Sequence, residues 1–164
     1  MVAASVCVAA AEGRKRRSGV FYGEYPSSVD DKGRVIIPAK LRDTAQAAGE
    51  GPGFVMRLGE DGCVTLYTPQ QWRQLESQIN KAPQNAKSAR RHRRFVFSQA
   101  DTAECDSQGR LRIPPRLLQA AGITKEVVVV GVSDQIELWE KGRWEAFKDE
   151  MMAERERDVE TYPA

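Results

Sequence analysis

Two arginines, each beside a glycine turn, are the residues of this chain best suited to chemistry. Asp30-Asp31-Lys32-Gly33-Arg34-Val35-Ile36-Ile37-Pro38-Ala39-Lys40-Leu41 and Asp106-Ser107-Gln108-Gly109-Arg110-Leu111-Arg112-Ile113-Pro114-Pro115-Arg116-Leu117 share one pattern. It reads Asp-x-x-Gly-Arg, an apolar residue, x-Ile-Pro-x, a cation and Leu. A guanidinium is a rigid donor fork that matches a phosphate or a guanine edge. A carboxylate nearby competes for the same fork. The chemistry therefore leaves two readings open for Arg34 and Arg110: contact with a nucleic-acid groove, or a clasp to Asp30 and Asp106 that stabilises the turn. Gly33 and Gly109 set the turns, since glycine takes φ > 0 without a Cβ penalty. Asp30 and Asp106 can accept backbone N–H bonds in Asx-type turns. Their negative charge repels phosphate, so their part is support.

The surrounding cations are unequal. The first copy has Lys32, Lys40 and Arg42; the second has Arg112 and Arg116, with Gln108 and Leu118 where the first has Lys32 and Arg42. A neutral turn releases fewer counterions on meeting DNA. The first turn is thus expected to be the more basic one.

Enzyme chemistry has little to stand on. The chain has one histidine, His92, no phosphate-binding Gly-x-x-x-x-Gly-Lys-Ser/Thr loop and no nucleophile motif. Its three cysteines, Cys7, Cys63 and Cys105, form no CxxC pair. They point away from a disulfide framework and a zinc site, towards a reducing cytosol. Cys105 stands where the first copy has Val29, which suggests a small buried apolar residue. No cofactor, metal or small-molecule substrate is expected. No apolar run approaches membrane-spanning length.

The elements that position the arginines repeat as well. Phe21–Tyr25 reads as a first strand, Pro26–Ser28 as a turn and Arg34–Ile37 as a short strand. Pro38 opens a helix over Ala39–Ala48, stopped by Gly49. Phe54–Leu58 and Cys63–Tyr67 form a hairpin around Gly59–Gly62. Thr68-Pro69-Gln70-Gln71 is a capping box, and Trp72, Leu75 and Ile79 follow on one helical face. In the second copy Arg110–Ile113 is the strand, Pro114 opens the helix and Gly122 ends it. Val127–Val132 and Ile136–Glu140 make the hairpin, and Trp144, Phe147 and Met151 repeat the helical spacing. Between the copies, Pro83–Arg94 reads as a basic helix and Phe95–Ser98 as a strand. The Arg90-Arg91-His92-Arg93-Arg94 run is assigned to a solvated or interface role ahead of DNA, with Glu76 or the tail as acidic partners. Tyr67 and Trp139, at matched positions, are candidates to cover the core or a subunit interface.

These motifs, together with Gly23-Glu24-Tyr25 and Arg93-Arg94-Phe95-Val96-Phe97-Ser98, resemble the MraZ family of bacterial transcriptional regulators from about Val20 to about Trp144. The resemblance implies tandem swapped-hairpin modules of the SpoVT-AbrB kind. It implies a ring-shaped homo-oligomer on repeated promoter boxes of the division and cell-wall gene cluster. It also suggests Val20 as the initiator. The expected fold is α+β, mainly β: duplicated half-barrels packed as one pseudo-symmetric barrel with flanking helices. Residues 1–19 are then a disordered or non-native extension, 20–80 the first module, 81–95 a basic helical linker, 96–150 the second module and 151–164 a charged tail that frays.

The resulting expectation is a cytoplasmic, nucleoid-associated DNA-binding repressor or autoregulator. Arg34 is its main contact, joined by Lys32, Lys40, Arg42, Arg110, Arg112 and Arg116 and supported by Asp30, Gly33, Asp106 and Gly109. Partners are double-stranded DNA and other copies of the chain. The rivals are a structural ring whose nucleic-acid binding is incidental, and an antitoxin-like DNA binder with a protein partner. The duplication and the lack of a long partner-binding tail weigh against the latter.

Overall fold

The computed structural model describes residues 19–47 and 51–157. The expectations for the basic arm before Gly19, for Gly49 and for the end of the tail lie outside these residues. The first repeat runs β1 (Glu24–Ser28), β2 (Arg34–Ile36), α1 (Ala39–Ala47), β3 (Gly53–Leu58), β4 (Val64–Tyr67) and α2 (Pro69–Lys81). Helix α3 (Lys87–Gln99) leads to the second: β5 (Asp101–Glu104), β6 (Arg110–Arg112), α4 (Pro115–Ala120), β7 (Glu126–Val132), β8 (Gln135–Glu140) and α5 (Lys141–Arg157). The molecule is α+β, with every strand pair antiparallel.

Six strands form one sheet in the order β1-β7-β8-β4-β3-β5, and β2 pairs with β6 in a separate ribbon. Exchanging each strand for its repeat counterpart reverses the sheet order, so the sheet has a pseudo-twofold between β4 and β8. The repeats are also swapped. β1 pairs with the second repeat's β7, and β5 pairs with the first repeat's β3. Neither repeat completes its own sheet, which is why one copy is too small to stand alone.

The ribbon forms the lid of the core. Val35 and Leu111 face inward, fully buried, with Ile37, Ile113, Leu41 and Leu117 beside them. They pack on Phe54, Met56, Leu66, Val129 and Leu138 from the sheet. Each such side chain contributes about 1.5–3 kcal/mol by leaving water. β7 is buried on both faces: Val127 and Val129 join this core, while Val128 and Val130 join Cys63, Trp139 and Trp144 in a second cluster.

The outer helices start by the same device from different residues. Thr68 Oγ1 accepts from the Gln71 backbone N–H at 3.3 Å, and Gln71 Oε1 accepts from the Thr68 N–H at 2.9 Å. This is the expected capping box. At the matched position the Glu140 carboxylate accepts from the Gly142 and Arg143 N–H groups at 3.0 and 2.8 Å. Tyr67 then meets Trp72, which meets Phe97; Trp139 meets Trp144 and Phe147. Tyr67 and Trp139 are both buried under these helices.

Three local expectations are corrected. Phe95–Ser98 is not a strand but the last turns of α3. The basic run has already nucleated the helix, and extending a helix costs far less than starting one. Val96 is buried and Phe97 sits edge-on to Trp72 at 5.8 Å, which rewards the extension. The first strand is Glu24–Ser28 rather than Phe21–Tyr25, and Pro26–Ser28 is strand rather than turn. β1 is an edge strand, where a proline's missing N–H is tolerated; Phe21 makes an isolated bridge to Ser133. In the second repeat Pro114 is the N-cap and Pro115 the first helical residue. Helix α5 runs through Arg157, and the rest of the tail, where a helix was expected to fray, lies outside the described residues.

Candidate nucleic-acid interface

Both turns are built alike. Gly33 and Gly109 have φ of 72° and 77°. Asp30 Oδ1 accepts from the backbone N–H groups of Lys32 and Arg34, each at 2.9 Å. Asp106 Oδ1 accepts from those of Gln108 and Arg110 at the same distance. The second carboxylate oxygen accepts from the arginine Nε–H, at 2.7 Å in both repeats. The backbone bonds from Arg34 and Arg110 are the main reason that both carboxyls titrate below the usual range; the arginine side chains and the Lys32 and Gln108 amides add to it.

The clasp is therefore real, and it does not exclude the other reading. It engages Nε and leaves the two Nη groups of Arg34 and Arg110 outside it. The Arg34 and Arg110 side chains keep 24% and 29% of their surface exposed. A guanidinium fixed along one edge has less rotamer freedom to lose when the other edge meets an acceptor.

The ribbon then gathers what the sequence keeps apart. Arg34 stands opposite Arg112, and Ile36 opposite Arg110. Val35 and Leu111 point into the core, so strand alternation puts Arg34, Ile36, Arg110 and Arg112 on one outer face. Like charges directly opposite each other destabilise a strand pair. Arg34 stands opposite Arg112 in such a pair, with Asp30 offsetting the Arg34 charge. A two-stranded ribbon is also an element that fits a DNA major groove. Ile36, 54% exposed, is the apolar member of this face. Sequence reasoning missed it because it reads as core in an apolar strand.

The remaining candidates divide. Lys32, in the first turn, and Lys40, at the start of α1, are exposed. Arg42 belongs to the other turn. Its Nε–H donates to the Ile37 carbonyl at 2.9 Å, and its guanidinium lies over Gly109, where an added Cβ would meet Cζ at 2.6 Å. Its counterpart Leu118 approaches Gly33. The repeats exchange covers because each turn glycine bonds the other repeat: Ile37 N–H donates to the Gly109 carbonyl and Ile113 N–H to that of Gly33, both at 2.9 Å. The expectation that Arg42 adds charge to the first turn is thus corrected. Arg116 reaches the carbonyls of Gln99 and Ala100, at 3.1 and 3.4 Å, and Asp101 at 3.1 Å. It closes the C-terminal end of α3, where a cation is favoured by the helix dipole.

Burial pushes the Cys63 and Cys105 thiols up to about 11, which leaves them protonated at neutral pH. Cys105 packs against the main core, as its match to Val29 suggests.

The family model described as "MraZ protein, putative antitoxin-like" matches residues 20–95 and 96–162. The chain belongs to the MraZ family. Three proteins named "Transcriptional regulator MraZ" illustrate the likeness. That of Ligilactobacillus salivarius is 45% identical over 131 residues, covering 80% of this chain and 88% of the relative. That of Lactobacillus delbrueckii subsp. bulgaricus is 44% identical over the same length, covering 80% and 88%. That of Acetivibrio thermocellus is 42% identical over 135 residues, covering 82% and 91%. The two MraZ segments meet within α3, so the family division follows the duplication. MraZ is a family of transcriptional regulators and not of enzymes. No helix among the described residues is long and apolar enough to cross a membrane.

Proposed function

We propose that this protein is a sequence-specific DNA-binding repressor or autoregulator that works through the outer face of the β2–β6 ribbon. Arg34 and Arg110, each held by its aspartate, present their Nη groups to phosphate or to guanine edges. Arg112, Lys32, Lys40 and Arg42 supply surrounding charge. The observation that carries this reading is the convergence of Arg34, Arg110 and Arg112 on one exposed ribbon face. The swapped halves close as one pseudo-symmetric barrel, and several chains form a ring in the cytoplasm, on the nucleoid. One ribbon gives a weak site; a ring repeats it at fixed spacing, and DNA boxes at matching spacing bind multivalently. The boxes lie in the promoter of the protein's own division and cell-wall gene cluster.

A footprint on the DNA upstream of the protein's own gene tests this. Regularly spaced protected boxes, lost when Arg34 and Arg110 are both replaced by alanine, are the expected result. Absence of protection at any protein concentration would favour the structural-ring alternative.

A further inference from the structure

We propose that the outer face of α3 docks on the outer face of α5 of a second copy, and that this head-to-tail contact builds the ring. The inference rests on the ring reading above and names the surfaces that make it. α3 contains no acidic residue. Its cations divide into two sets. Arg90 donates to the Gln84 and Asn85 carbonyls, and Arg93 donates to Gln84 Oε1 and lies over the Phe97 ring. Lys87, Arg91 and Arg94 stand at i, i+4 and i+7, all exposed, with Phe95 beside them at 53% exposure. The stripe is about 12 Å long.

α5 carries the counterpart. Its cations near the fold are used within the chain: Lys141 pairs with Glu126 at 3.1 Å, Lys148 with Glu24 at 2.7 Å, and Arg143 donates to the carbonyls of Gly62 and Ala121. Trp144 packs on Trp139, Lys148 pairs with Glu24, and Met151 is half-buried. The opposite face presents Glu145, Asp149, Met152 and Glu156 at i, i+4, i+7 and i+11, all exposed. Met152 is 58% exposed, among the most exposed apolar residues described. The stripe holds three carboxylates over about 16 Å, with Lys141 one turn before Glu145 and interacting with it, and no cation further along. One helix thus offers cations around an aromatic ring, the other carboxylates around a thioether. Sulfur–aromatic contact adds to the charge pairing.

The two stripes differ, so their contact is heterologous. Contacts of that kind close into rings when the rotation allows. Helix α3 packs on β3, and α5 on β7 and β8, in opposite halves of the palindromic sheet. One chain therefore offers its two stripes to two different neighbours.

Sedimentation velocity on the full chain at low salt tests the assignment. R91E/R94E and E145K/D149K should each dissociate the ring to smaller species. Mixing the two variants one to one should restore wild-type size, because each then meets its complement, and a variant that failed to fold would not be rescued. Wild-type size in either variant alone overturns the interface and leaves the ring reading standing. Dissociation without rescue on mixing overturns it as well. Wild-type size combined with weakened DNA binding in R91E/R94E would overturn it and assign α3 to DNA. A wild-type chain that sediments as a monomer overturns the ring reading itself.

Discussion

The two Gly-Arg turns share a clasp to within a tenth of an ångström and differ in what covers them. The first has Lys32 in the turn and Leu118 over its glycine. The second has neutral Gln108 in the turn and Arg42 over its glycine. Read along the chain, the first turn looks the more basic. In the fold, the swap carries Arg42 across, and the second turn gains the cation that it lacks in sequence. Asp31 further offsets Lys32, where the second repeat has uncharged Ser107. The lesson is that local charge in a swapped duplication must be summed over the partner repeat. The ribbon adds to this by placing Arg34, Arg110 and Arg112 on one face, so neither turn holds a clear advantage.

The comparison can be broken first at the glycines, where the largest effect is expected. Alanine at either position is strained by the positive φ, at roughly 1–2 kcal/mol. At Gly109 it must also displace Arg42 and its bond to Ile37, adding about 1 kcal/mol. Thermal denaturation should therefore rank Gly109→Ala below Gly33→Ala. Equal melting temperatures would show that Arg42 does not seat on the turn.

Charge exchange sharpens the comparison with a smaller effect. Arg42→Leu should flatten the salt dependence of DNA binding by up to about one unit of slope, and Lys32→Gln by no more. The two variants read opposite turns. A response to Lys32→Gln alone would return the advantage to the first turn.

The smallest effect is nil at neutral pH. Both aspartates titrate low in the folded protein, so their stabilisation is complete above the ordinary carboxylate value of 3.8. It is lost as pH falls through the lower folded values. Carboxyl chemical shifts followed by NMR should show Asp30 and Asp106 titrating together, below that value. Separate midpoints would mean that the clasps are not equivalent.

Much of this was legible in the sequence. The duplication, the hairpins, the α2 capping box and the Asp–Gly–Arg turns depend on neighbours within a few residues, and they stand where the pattern puts them. Several of the failures trace to long-range pairing. Val20-Phe21 and Val96-Phe97 are the same dipeptide. Phe21 bridges Ser133 in extended backbone, whereas Phe97 packs on Trp72 at the end of a helix. No local propensity separates them. Ile36 looks like core until β6 takes up its register beside it, and Arg42 looks like part of the first turn until the glycine carbonyls cross over. The candidate site was visible as a motif; its shared face was not.

The central claim is that both arginines act together on one ribbon face. It is tested most directly by measuring DNA affinity against salt concentration for the wild type, Arg34→Ala and Arg110→Ala. The account predicts that each variant loses about tenfold in affinity, with comparable flattening of the salt slope by about one unit. Wild-type affinity and slope in Arg110→Ala, beside a loss in Arg34→Ala, would contradict it.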